Sequence, residues 1–217
     1  MFQTDFTSTD FLFMLQGAGV TLVLTFWAVL GGTLLGLVLG VLRAVSPWWL
    51  NGPIGAVLDV FRSIPLLIQF ILANSFKSII GFDISAFTVA CVMLALYTSA
   101  YCTEIVRAGM LAVPATTRRA ARSLGLTYWQ DLRYIVFPNA LRVSLPSWTG
   151  LTLGVLKDTA LVLWIGIVEL LRASQVIVTR IQEPLLVLSV CGLIYFLMSF
   201  PISRLGAYLE SRWREYD

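Results

Sequence analysis

Two stretches of this chain put ionisable side chains where the surrounding sequence is apolar. Lys157 and Asp158 stand side by side within SLPSWTGLTLGVLKDTALVLWIGIV, and Asp59 and Arg62 interrupt GAVLDVFRSIPLLIQFILANSF. An ionisable group at membrane depth is costly unless it is paired or wet. Helix neighbours point about 100° apart, so Lys157 and Asp158 cannot simply neutralise each other. Each needs a partner on another span, such as Glu104 or Arg62, or a polar solute. Past Arg62, Pro65 has no amide and disfavours the α conformation at Ile64, leaving carbonyls near Phe61 to be met by protein or a wet cavity, or the segment is an ordinary proline kink. Covalent chemistry has few candidates. The absence of histidine excludes Ser-His and Cys-His nucleophile pairs and histidine-ligated metals, so an enzyme would need Asp59 or Asp158 as an unpartnered aspartyl catalyst. Neither lysine, Lys77 or Lys157, lies in a GxxxxGK[ST] loop, so the chain carries no phosphate cradle of that type.

The elements that must position these groups follow from composition. The chain has 217 residues, 58% hydrophobic and 12% charged, where a soluble domain carries about 25% charged; most of its surface must face lipid. A net charge of +3 is read as topology rather than as nucleic-acid binding. Cys91, Cys102 and Cys191 fall in apolar runs, which argues against a disulfide framework. The polar, acidic start MFQTDFTSTD is unlike a cleaved secretory signal, so the first apolar run is expected to be a retained span.

Five spans are predicted, at about 11–42, 54–76, 84–107, 140–168 and 184–208, forming one all-α transmembrane domain over 1–217. Gly32, Gly36 and Gly40 share one face of the first, either as a close-packing seam or as glycines merely tolerated in lipid. SPWWLNGP (46–53) reads as a turn with an interfacial aromatic pair. Arg43, Arg62, Arg107, Arg118, Arg119, Arg122, Arg133, Arg142, Arg204, Arg212 and Arg214 fall on one side. Lys77, Arg172 and Arg180, together with Asp5, Asp10, Asp83, Glu169 and Glu183, fall on the other. That bias predicts the N-terminus outside and the C-terminus in the cytoplasm.

The segment at 113–138 is then a cytoplasmic loop. Thr117, Ala120, Ala121, Leu124 and Gly125 share one helical arc, opposite Arg118, Arg119 and Arg122. Thr127 and Gln130 fit a capping box, and Trp129, Leu132 and Val136 give a second helix an apolar stripe that Pro138 ends. A basic amphipathic helix ordinarily lies on anionic lipid; the alanine and glycine face suits close approach to another protein instead.

Ala120-Ala121, Gly125, Ile135 and Phe137-Pro138, at their spacing, resemble the EAA loop of bacterial ABC-importer permeases. AYCTEIVRAGMLAVP (100–114), FPNALRVSLP (137–146), FRSIPLLIQ (61–69) and KDTALV (157–162) are similar to stretches of the polar amino-acid uptake family, and the resemblance covers roughly residues 15–212. It departs at Arg119, where the family has the glutamate that names the loop, at Phe137, in place of leucine, and at Ser63-Ile64, where Gly-Thr is common.

The resemblance implies a type I importer permease in the bacterial inner membrane. It implies that Arg118, Arg119, Ala120, Ala121, Arg122 and Gly125 couple the chain to a cytosolic ATPase. It also implies a pathway lined by Arg62, Ser63, Pro65, Lys157, Asp158 and Thr159, with Asp158 meeting the α-ammonium of an amino acid. Glu104 is expected to form a structural or gating ion pair. Expected partners are two ATPase subunits that hold ATP and Mg, an extracytoplasmic binding protein, membrane lipid and a second permease subunit. Arg119 favours a heteromer whose other chain keeps the standard loop. No cofactor or metal is expected on this chain. The alternative is an ion-gradient-driven secondary transporter or channel, which would usually show inverted repeats or paired broken helices.

Overall fold

α1 (Ser8–Val45) starts where the Asp10 carboxylate accepts from the Thr7 amide and hydroxyl, at 2.9 and 2.8 Å. It runs about 57 Å at 1.5 Å per residue, well beyond a hydrocarbon core of roughly 30 Å. Leu12, Phe26, Leu34 and Val38 are exposed, as a helix apolar on every side requires when one side meets lipid. The computed structural model describes residues 5–214; the first four residues of the polar start and the last three of the tail lie outside the described residues.

The glycine seam of α1 is a packing surface. A Cβ on Gly32, Gly36 or Gly40 would fall 2.4 Å from Thr98 Cβ, 2.5 Å from Cys102 Cβ and 2.6 Å from Val106 Cβ respectively. Those partners recur every four residues on α4 (Ala86–Leu111), so two stripes of equal period interlock, and this is the most extensive helix pair of the fold.

The second predicted span is not straight. α2 (Trp48–Ser63) and α3 (Leu66–Ile80) meet at Ile64–Pro65 with a 100° bend. The predicted turn at 46–53 shrinks to Ser46-Pro47, because Trp48 already starts α2 and Pro53 lies inside it. Pro53 is the sixth residue of α2, so the helix forgoes one hydrogen bond, to the Trp49 carbonyl, in housing it.

The predicted boundary at Pro138 is absent. α5 (Ala115–Ser123) is a separate short helix, ended by Gly125 at φ +86°. From Tyr128 the chain is helical without a stop: α6 (Tyr128–Asp131), a π turn (Leu132–Val136), α7 (Phe137–Asp158) and a 3₁₀ segment (Thr159–Ile165). The wider π turn makes room for the proline ring, with the Phe137 amide on the Leu132 carbonyl and Asn139 Nδ2 donating to the Ile135 carbonyl at 2.6 Å. The capping box forms as expected: Thr127 N donates to Gln130 Oε1 at 2.8 Å, and Gln130 N to Thr127 Oγ1 at 3.4 Å.

The stretch expected as an external loop after the fourth span holds α8 (Leu170–Ile181), buried through Leu170, Ala173, Ser174, Ile177 and Ile181. α9 (Pro184–Arg214) closes the chain. Among the described residues α1, α4, the Tyr128–Ile165 helix and α9 are long and apolar enough to cross a bilayer, and the bent α2–α3 pair makes a fifth if counted as one.

Candidate functional site

The bend at Ile64–Pro65 strands the carbonyls of Phe61 and Ile64, and Gln69 meets both. Its Nε2 donates to each at 2.8 Å, from a side chain on the first turns of α3 that is only 5% exposed. Its Oε1 is buried without a hydrogen-bond partner. One amide therefore takes the place of the amides that Pro65 and the bend withdraw. Phe61, Ile64 and Gln69 border an apolar cavity of about 330 Å³ shared with Leu72, Phe76 and Met93.

The second discontinuity lies on the other ionisable stretch. α7 ends at Asp158, the backbone tightens into the 3₁₀ segment, and Gly166 at φ +87° closes it. That segment packs on α3, over a core of Leu66, Phe70, Leu94, Val155 and Val162, so both breaks belong to one region. Asp158 is half-buried and Lys157 exposed, while Thr159 is fully buried with its hydroxyl donating to the Leu156 carbonyl at 2.7 Å. Among the described residues neither Lys157 nor Asp158 makes an ion pair or hydrogen bond. The expected alternative, pairing with Glu104 or Arg62, does not occur.

Those two residues belong to a separate cluster. Glu104 pairs with Arg43 through Oε1 and with Arg107 through Oε2 at 3.4 Å, and Arg62 Nη1 lies 4.0 Å from Oε1. Arg62 also reaches Asp59 at 3.4 Å and lies 5.6 Å from the ring centroid of Tyr101. Arg43 Nε donates to Asn51 Oδ1 at 2.7 Å and fills the space beside Gly55. One carboxylate thus ties α1, α2 and α4 together, and Arg62, Ser63 and Pro65 stand exposed at the bend above it.

In the loop segment Arg119, Ala120 and Gly125 face outward, with Leu124 and Trp129 also exposed. Arg118 and Arg122, expected on the same outer arc as Arg119, both reach toward Asp131, Arg122 with its side chain still exposed. Arg118 Nε and Nη2 each lie 3.0 Å from Asp131 Oδ2, and Arg122 Nη2 lies 3.7 Å from it. Ala121, expected with Ala120 on the face offered to another protein, is instead buried within the chain, whereas Ala120 is exposed. Beyond the far end of the Tyr128–Ile165 helix, Glu169 is fully buried at the start of α8. It accepts from the Leu171 and Arg172 amides at 2.8 and 2.7 Å and from the Tyr195 hydroxyl at 3.0 Å. Burial pushes its carboxyl above the ordinary value, against these hydrogen bonds.

Sequence reasoning singled out neither Gln69, Asp131 nor Glu169 as functional. The helical stripe of Leu170, Ala173, Ile177 and Ile181 was legible, but glutamate is not a usual cap, so the role of Glu169, like those of Gln69 and Asp131, is defined by partners that only the fold brings near.

The arrangement offers an unpaired carboxylate and an unpaired ammonium beside a backbone break, and a protruding helix pair at one end of a membrane-length helix. Residues 32–215 match the family described as binding-protein-dependent transport system inner membrane component. The chain is 30% identical to a probable amino-acid ABC transporter permease protein, YckA, of Bacillus subtilis, covering 100% of this chain and 96% of that protein. It is 32% identical to the octopine transport system permease protein OccM of Rhizobium meliloti, covering 99% and 91%. It is 30% identical to the glutamine transport system permease protein GlnP of Escherichia coli, covering 93% of both. A solved amino acid ABC transporter with histidines superposes with a TM-score of 0.84 at 34% identity, over 92% of this chain and 94% of that one. The MetNI methionine ABC transporter in an inward-facing form shares the fold, with a TM-score of 0.81 at 21% identity over 95% and 99%.

Proposed function

The chain belongs to the family of inner-membrane components of binding-protein-dependent transport systems, a multi-pass permease subunit of the bacterial inner membrane, and from that premise we propose that it passes a polar amino acid inward. The observation that carries the solute class is Asp158. It is half-buried, without ion pair or hydrogen bond, where α7 gives way to the 3₁₀ segment packed on α3. A carboxylate left unpaired at that depth is stabilised by a cationic guest, and an α-ammonium supplies one. The exposed residues of the bend, Arg62, Ser63 and Pro65, stand on the neighbouring element to receive the α-carboxylate, and Lys157 completes the pathway, while Thr159, expected to line it, is fully buried and braces the break through the Leu156 carbonyl. The Glu104 cluster holds α2 against α1 and α4 beneath it.

The energy enters from elsewhere. Arg119, Ala120 and Gly125 form the outward face of the knob offered to a cytosolic ATPase, which binds ATP and Mg, while Ala121 seats α5 against the rest of the loop. ATP binding and hydrolysis bias two arrangements of the helices that differ in affinity for the solute. A binding protein delivers solute on the outer face, and a second permease chain, a different one given Arg119, completes the pathway. Vesicles reconstituted with this chain, its permease partner, the ATPase and the binding protein should accumulate labelled amino acid only with ATP inside the ATPase compartment. Equal uptake without ATP would replace this reading with an ion-gradient-driven carrier.

A further inference from the structure

The sequence pattern sets Arg118 and Arg122 on the outside of the knob, ready for a partner; the fold draws Arg118 onto one buried group and brings Arg122, still 54% exposed, within 3.7 Å of it. Asp131 is 0% exposed. Its Oδ2 faces Arg118 at 3.0 Å and Arg122 at 3.7 Å, and its Oδ1 is buried with no hydrogen-bond partner. The charge of this carboxylate is therefore balanced entirely from α5. In turn, α5 has little else to hold it: Ala121 is its one buried residue, and Leu124 beyond it is 83% exposed. Hydrophobic packing cannot set the angle of so short and polar a helix. The base is firm by contrast, because Leu132 and Val136, immediately after Asp131, pack with Met110 and Val113 at the end of α4.

We propose that Asp131 is a positioning residue for energy coupling: by gripping Arg118 and Arg122 it fixes α5 to the Tyr128–Ile165 helix, so that force on the knob is delivered to the membrane. The inference rests on the proposed function. Pulling α5 away would strand a buried, unpaired carboxylate, which is strongly disfavoured, whereas removing the whole ionic set can be nearly neutral for folding. The tie therefore governs geometry and motion more than stability.

The test uses the full reconstituted complex with its ATPase and binding protein, and reads amino acid moved per ATP hydrolysed. Arg118→Gln and Asp131→Asn should each lower that ratio roughly fivefold, and the double variant should be no worse than the poorer single, as members of one pair require. Multiplying effects would mean that Arg118 touches the ATPase directly, and unchanged ratios would mean that the tie does not transmit; either outcome overturns the proposal. Hydrogen exchange of residues 115–123 in the assembled complex should quicken in Asp131→Asn, and unaltered exchange also counts against it. If Asp131→Asn does not assemble, Arg118→Gln alone must show the lowered ratio. A wild-type complex without ATP-driven uptake would instead defeat the function on which the inference is built.

Discussion

At the scale of single residues, the charges of this chain fall into those with partners and those without. Glu104, Asp131 and Asp10 are paired, Asp10 with Arg180 at 2.6 Å; Lys157 and Asp158 are not. Asp158→Ala should leave assembly with the ATPase intact and reduce uptake roughly thirtyfold or more, the weight of a lost charge partner of about 2 kcal/mol. Retained uptake would remove Asp158 from the path. The types and the depth of these residues were legible in the sequence, because ionisable groups stand out within apolar runs. Their partners were not. Glu104 was offered as a mate for Lys157, yet three arginines from three helices surround it, and no spacing along the chain encodes that meeting. Gln69 is the same case, an unremarked amide until the bend places two stranded carbonyls within its reach.

Among the elements, the glycines of α1 decide how closely two helices approach. Gly36→Ala should destabilise the chain by roughly 1–3 kcal/mol, because the new methyl meets Cys102 Cβ at 2.5 Å. Gly19→Ala, with nothing within 4 Å, should be neutral or stabilising by up to about 1 kcal/mol from helix propensity. Thermal unfolding of the two purified variants in one detergent checks the pair, and equal shifts would contradict the seam. Four-residue spacing made the seam one of two readings, settled only by the stripe of Thr98, Cys102 and Val106 on α4, whereas runs of apolar residues marked the spans. Proline was the poorer guide. Pro65 bends the chain by 100°, while Pro138 ends nothing, because a π turn supplies the room its ring needs. The sequence marks where an amide is missing, and the surrounding packing determines whether the helix breaks or widens.

For the molecule as a whole, orientation decides which end meets the ATPase. In a chain stripped of Cys91, Cys102 and Cys191, Ala120→Cys should react with an impermeant maleimide in inverted membrane vesicles and remain protected in intact cells. Labelling from outside would reverse the assignment of every loop. The long helix that begins near that cysteine invites a piece of trigonometry. From Tyr128 to Asp158 it extends about 46 Å at 1.5 Å per residue. Each degree by which its base is tilted sweeps Asp158 sideways by about 0.8 Å, so ten degrees would carry that carboxylate some 8 Å, roughly the length of an amino acid. A slight tilt beside the loop is thus magnified into a large displacement of the Asp158 carboxylate.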